Sequence, residues 1–114
     1  MYTVRKVYEN ETLVFAGDLS AFVYLVKSGQ LKATKKTKDA DRLLGFINPG
    51  EFAGEMACLS ESTAHACDVT ATKDSEVIEI AKDSFYDVLA KNPLWLKALV
   101  KSLVIRIDTL NKKI

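Results

Sequence analysis

Apolar residues in the first eighty positions fall in short clusters divided by turn formers, whereas in the last twenty they recur at helical spacing. Thr12 to Phe15 is a β-rich tetrad closed by Gly17-Asp18. Phe22-Val23-Tyr24-Leu25-Val26 is a nearly continuous apolar run closed by Ser28-Gly29, which predicts a strand buried on both faces or in a tight barrel. Gln30 to Thr34 alternates polar and apolar, as a half-exposed strand does. Leu43 to Ile47 predicts a further strand, and Asn48-Pro49-Gly50 is a turn signal. Val69-Thr70-Ala71 and Glu76 to Ile80 complete the set. Many short strands at roughly regular spacing argue for a roll or jelly roll rather than a parallel sheet.

The period then changes from 2 to 3.6. Ala81-Lys82-Asp83-Ser84 offers N-cap candidates, with Asp87 three residues beyond Ser84 in a capping-box-like position, so a short helix is expected to run to about Ala90. Asn92-Pro93 reads as a fresh N-cap with proline at the first helical position, and no breaker follows up to Ile114. Leu96, Val100, Leu103, Ile107, Leu110 and Ile114 alternate in steps of four and three, the seam of a helix with a partner helix. Trp95, Leu99 and Ile105 lie off that seam and are expected to pack back onto the strands. A parallel homodimer through the last helix is the expectation, the alternative being that the whole stripe is internal core.

The fold class expected is therefore mainly β with flanking helices: a β-roll (double-stranded β-helix or jelly roll) over residues 1–80, and a short and a long helix over 81–114, as one domain. At 48% hydrophobic and 27% charged residues a core is feasible, although 114 residues are marginal without a partner. A formal charge of +1 supplies no field for phosphate backbones, and the one dense basic run, Lys35, Lys36 and Lys38, is followed at once by Asp39 and Asp41. No nucleic-acid partner is expected, and the chain ends before any helix-turn-helix. Neither a membrane span nor a signal peptide is present in the pattern. Cys58 and Cys67, with a single histidine, make no zinc spacing and no disulfide framework, which suggests a reducing, cytoplasmic setting. One histidine likewise supplies no metal cluster, and no nucleophile–base pair stands out, so no enzyme, no metal and no cofactor are expected.

The chemistry concentrates in Pro49-Gly50-Glu51-Phe52-Ala53-Gly54-Glu55-Met56-Ala57-Cys58-Leu59. Glu55 to Leu59 can form a single helical turn whose free amides make an anion pocket, while Glu55 can accept hydrogen bonds from a sugar hydroxyl. Spacing alone reads equally as a capped turn.

With these residues the chain resembles the cyclic-nucleotide-binding domain family, the type found in catabolite activator protein and regulatory kinase subunits. Its landmarks are Gly17-Asp18, Tyr24 to Gly29, the Pro-Gly-Glu-Phe-x-Gly-Glu-Met-Ala segment, Val69 to Ala71, Glu76 to Ile80 and Asn92-Pro93. The resemblance implies a cyclic AMP or cyclic GMP site in which Gly54, Glu55, Met56 and Ala57 form the phosphate-binding cassette, with Glu55 on the ribose 2′-hydroxyl. It implies further that the last helix covers the base, with Arg106 placed to pair with Glu55, and with Leu110 and Asn111 near the base. The family's phosphate-directed arginine falls, eleven residues past Gly54, on His65, with Ala66 next to it. The chain's arginines are Arg5, Arg42 and Arg106, none of them in the cassette. An imidazolium at His65 can donate to the phosphate, and Asp68 is expected to favour that charged form. The function expected is a regulatory sensor that binds a cyclic nucleotide weakly and signals through its last helix. The alternative is a ligand-free roll kept as a dimerisation or docking module.

Overall fold

The computed structural model describes residues 2–19, 21–55, 57 and 64–113. The strands are β1 (Tyr2–Val7), β2 (Thr12–Val14), β3 (Phe22–Ser28), β4 (Leu31–Lys36), β5 (Asp41–Ile47), β6 (Phe52–Ala53), β7 (Asp68–Ala71) and β8 (Ser75–Ala81). Two helices follow, α1 (Lys82–Lys91) and α2 (Leu94–Lys113). The strands form two four-stranded antiparallel sheets, ordered β1-β8-β3-β6 and β2-β7-β4-β5. Apart from the β4–β5 hairpin, which lies within one sheet, successive strands cross between the two sheets, as in the predicted β-roll, and inward side chains of both meet in one core. Val7, Val26, Leu31, Ala71 and Val77 are its fully buried centre.

The central strand β3 buries Val23 on one face and Tyr24 and Val26 on the other, as its unbroken apolar run predicts. α1 packs over β3 and β8, and Phe85 meets Phe52 of β6 with ring centroids 6.5 Å apart. The lysine-rich segment closes the β4–β5 hairpin, where the Thr37 amide donates to the Ala40 carbonyl at 3.1 Å.

Three local expectations are corrected. α1 begins at Lys82, with Ala81 as N-cap and no side-chain cap, because the Lys82 amide donates instead to the Ala21 carbonyl at 3.1 Å. A tertiary acceptor takes the place of the Ser84 capping box. Asn92 closes α1 rather than opening α2: its side-chain amide donates back to the Val88 carbonyl. Finally, Trp95, Leu99 and Ile105 do not pack onto the roll but remain exposed, Trp95 by 67%. α2 packs chiefly on α1 and turns Val104, 6% exposed, inward, with Leu96 and Val100 half-buried on the same i, i+4, i+8 line. Leu103, Ile107 and Leu110 of the predicted seam stay exposed, and Ile114 lies outside the described residues. Among the described residues no helix is long and apolar enough to cross a membrane.

Candidate functional site

Pro49 and Gly50 turn the chain out of β5, with the Glu51 amide donating to Asn48 O at 3.0 Å and Glu51 Oε1 accepting from the Asn48 amide at 2.7 Å. The return strand β6 is only two residues long. It is held because Ala53 and Phe52 pair with Tyr24 and Leu25 of β3, reinforced by Val26 N to Glu51 O and Gly50 N to Val26 O, both 2.9 Å. This pairing delivers Gly54 onto the end of β3. Gly54 has φ +81°, and a Cβ there would stand 3.2 Å from His65 Cε1, 3.4 Å from the Phe22 carbonyl and 3.8 Å from Tyr24 Cδ2. Both the left-handed backbone and the crowding require glycine.

Glu55 follows and is half-buried. Burial raises its pKa above the usual carboxylate range, and its own amide N–H offsets part of that by hydrogen bonding the charged form. Ala57 is buried, and Met56 and Cys58 lie outside the described residues. The helical turn predicted from Glu55 to Leu59 is therefore described only at Glu55 and Ala57, both helical.

His65 is brought to Gly54 by long-range backbone pairing. Its amide donates to Asp18 O at 2.9 Å, the Gly17 amide donates to His65 O at 2.8 Å, and Leu19 and Ala64 form an antiparallel bridge. Burial lowers the imidazole pKa, and Asp18 partly opposes the shift. The carboxylate that supports the charged form is thus Asp18, not Asp68 as expected. Asp68 Oδ1 instead accepts from the Ala16 amide at 2.7 Å, and Oδ2 lies 3.9 Å from Lys36 Nζ. The Cys67 thiol is held protonated by burial first, then by Asp68 and Glu55. Ala66 is exposed.

His65 lines a hollow of about 140 Å³ with Asp18, Phe22, Tyr24 and apolar side chains including Leu13 and Val14. No residue of α2 takes part in that lining, so the expected roof over this hollow is not formed by the last helix. Arg106 and Leu110 are exposed on α2, with no ion pair between Arg106 and Glu55 among the described residues, and Asn111 continues the same helix. The sequence thus leads to Gly54, Glu55 and His65, which the structure gathers at one end of β3, and overlooks Asp18, Phe22 and Tyr24 beside them. Tyr24 gave no polar signal because it sits within an apolar run, and Asp18 read as a turn residue and a family landmark but not as part of the site.

Such an arrangement can accept hydrogen bonds through Glu55 and, when His65 is protonated, can pair with an anion. Comparison with known proteins gives the same chemistry a family. The family model described as "Cyclic nucleotide-binding domain" matches residues 4–92. The cyclic AMP receptor protein of Thermus thermophilus is 30% identical over 95 residues, covering 82% of this chain and 44% of the relative. The crystal structure of the catabolite activator protein of the same organism superposes with a TM-score of 0.80 at 23% identity, covering 98% of this chain and 53% of that one. The regulatory domain of Toxoplasma gondii PKA, co-crystallised with cAMP, gives 0.72 at 27% identity over 75% of this chain and 33% of that one. The chain spans about half the length of the curated relatives it matches. With a model match over most of its length and a relative at this identity, the chain belongs to the cyclic nucleotide-binding domain family.

Proposed function

We propose that this chain is a regulatory sensor that binds a cyclic mononucleotide weakly at the Gly54–Ala57 turn and transmits occupancy through α2. The observation that carries the reading is the close approach of the His65 imidazole to Gly54, 3.2 Å from the position of an added Cβ. A side chain able to carry charge thereby lies against the turn expected to present amides to a phosphate. Glu55 accepts from the ribose 2′-hydroxyl in this reading. Its burial supports the role, because a half-desolvated carboxylate regains favourable hydrogen bonds when a hydroxyl reaches it.

A ligand that binds only the folded protein raises its melting midpoint, and a cyclic AMP and cyclic GMP titration tests the proposal directly. Saturating cyclic AMP raises the midpoint of the wild-type chain, and Glu55→Gln removes most of that rise. In the absence of ligand Glu55→Gln melts higher than wild type at pH 7. The sign follows from linkage: a carboxyl whose folded pKa is raised disfavours folding once the pH exceeds its unfolded value, and the neutral amide is spared that penalty. A flat response of wild type to both nucleotides leaves the alternative, a ligand-free docking module. Two observations favour this alternative: the burial that keeps His65 neutral, and the absence of α2 from the lining of the hollow beside it.

The signalling half rests on the exposed face of α2. Leu103, Ile107 and Leu110 fall on one side of the helix, and Leu99 widens the strip. A second α2 packed along it makes a parallel dimer whose geometry ligand occupancy shifts. Leu103→Asp places a charge in that seam, and light scattering at micromolar concentration is expected to move from twice 12.6 kDa to a single 12.6 kDa chain. A monomeric wild type, or an Asp variant that stays dimeric, rules this interface out.

A further inference from the structure

Tyr24 is the polar side chain most completely enclosed beside the Gly54 turn. It is 6% exposed, its ring lies 6.3 Å from that of Phe22 between centroids, and its Cδ2 approaches the Gly54 Cβ position to 3.8 Å. It lines the same hollow as His65 and Asp18. Its hydroxyl has no hydrogen-bond partner among the described residues. The strand register sets Tyr24 opposite Glu79, but Glu79 Oε2 is engaged by Arg5 Nη1 at 3.3 Å. A phenylalanine supplies the same packing without the cost of a desolvated, unbonded hydroxyl. The hydroxyl thus has a donor to offer and no acceptor among the described residues.

We propose that the Tyr24 hydroxyl donates a hydrogen bond to a phosphate oxygen of the bound cyclic nucleotide, so that Tyr24 and His65 together hold an anion for which the cassette segment carries no arginine. The inference rests on the cyclic-nucleotide reading and adds a second, uncharged donor to it. A phosphate at this place meets a neutralised pair in Arg5 and Glu79 rather than a bare carboxylate. Burial and Glu79 both raise the phenol pKa, with Arg5 opposing, so the donor proton is retained throughout the range in which His65 titrates.

Tyr24→Phe tests this in the intact chain with cyclic AMP as the probe. Affinity measured by calorimetry is expected to fall about tenfold, equally at pH 7.5 and pH 6, while the unliganded melting midpoint stays the same or rises. Wild type is further expected to discriminate between the two cyclic AMP phosphorothioates in which one or the other exocyclic oxygen is sulfur, a poorer acceptor, and Tyr24→Phe to lose much of that discrimination. Equal affinity of variant and wild type overturns the inference and leaves the cyclic-nucleotide reading standing. A variant whose unliganded midpoint drops by several degrees overturns it too, since the hydroxyl is then structural. Failure of wild type itself to bind overturns the reading beneath it.

Discussion

Gly29→Ala is expected to lose roughly 3–5 kcal/mol of stability, enough to lower the melting midpoint by about 15–30 °C. Gly29 opens the β3–β4 connection with φ +88°, and an added Cβ would overlap Ser75 Oγ and stand 2.6 Å from Ser75 Cβ and 2.7 Å from the Asp74 carbonyl. The last of these is backbone and has no rotamer with which to give way. Ser75 is itself fixed: 4% exposed, it accepts from the Gln30 amide at 3.0 Å and donates to the Lys73 carbonyl at 2.8 Å. Thr72 adds a bond from its amide to Gln30 O at 3.0 Å and one from its hydroxyl to Gln30 Oε1 at 2.8 Å. Two turns, one linking β3 to β4 and the other β7 to β8, are thus knitted through one serine, and pushing them apart is expected to unzip β3–β8 and β4–β7 together. Gly17→Ala is the control. Its φ is +91° but nothing lies within 4 Å of the added carbon, so it carries backbone strain alone and is expected to cost about 1 kcal/mol. Thermal melts followed by circular dichroism separate the two. Equal losses would show that the contact with Ser75 and Asp74 contributes nothing.

The same contact illustrates what was legible in the sequence. The Ser28-Gly29 punctuation marks a turn correctly, but nothing local shows that a second turn forty-five residues away closes on it. The buried strands were legible because their apolar runs are dense, and β3 above all. β1 was not, although it pairs with β8 along its full length. In that register Val7 and Arg5 stand opposite Ser75 and Val77 on the inward side, and Val4 is 45% exposed. Arg5, itself exposed, reaches Glu79 on the face that Val7 shares, so an ion pair there erases the alternation that marks a strand. β6 escaped for another reason: two residues carry no period, and partners on β3 alone hold it.

For the site, spacing led only to a turn with an anion-binding option at Gly54 and Glu55. His65 entered by family resemblance, because it meets Gly54 through the 17–18 backbone and the Leu19–Ala64 bridge, contacts that no local pattern encodes. On α2 the heptad steps identified the apolar stripe but not its rotation. The face turned inward shares Leu96 and Val100 with the seam but continues through Val104 rather than Leu103, because the short link at Asn92-Pro93 lays α2 against α1.

His65→Arg is expected to tighten cyclic AMP binding by about 10- to 150-fold, the worth of a charge-assisted hydrogen bond of roughly 1.5–3 kcal/mol to phosphate. A guanidinium is charged at every working pH and offers a fork of donors, whereas the imidazole is half-buried and mostly neutral near pH 7. The hollow of about 140 Å³ beside residue 65 gives the longer side chain room, and Asp18 on its wall offers a counter-charge when the ligand is absent. The pH profile separates this gain from mere improvement in packing. In wild type the unliganded His65 pKa lies below its ordinary value of 6.5. A bound phosphate raises it, so affinity climbs as the pH falls from the liganded value toward the unliganded one and levels below the latter. Glu55 acts in the opposite sense at the acid end, since its raised pKa brings forward the loss of its acceptor charge. Wild-type affinity therefore rises from pH 7.5 toward 6 and turns down at lower pH. The arginine variant loses the alkaline limb and keeps the acid one. Calorimetry at pH 7.5, 6.5 and 5.5 on both proteins decides the matter: an unchanged affinity in His65→Arg, or an alkaline slope that survives it, places the phosphate away from residue 65 and moves the titrating group elsewhere.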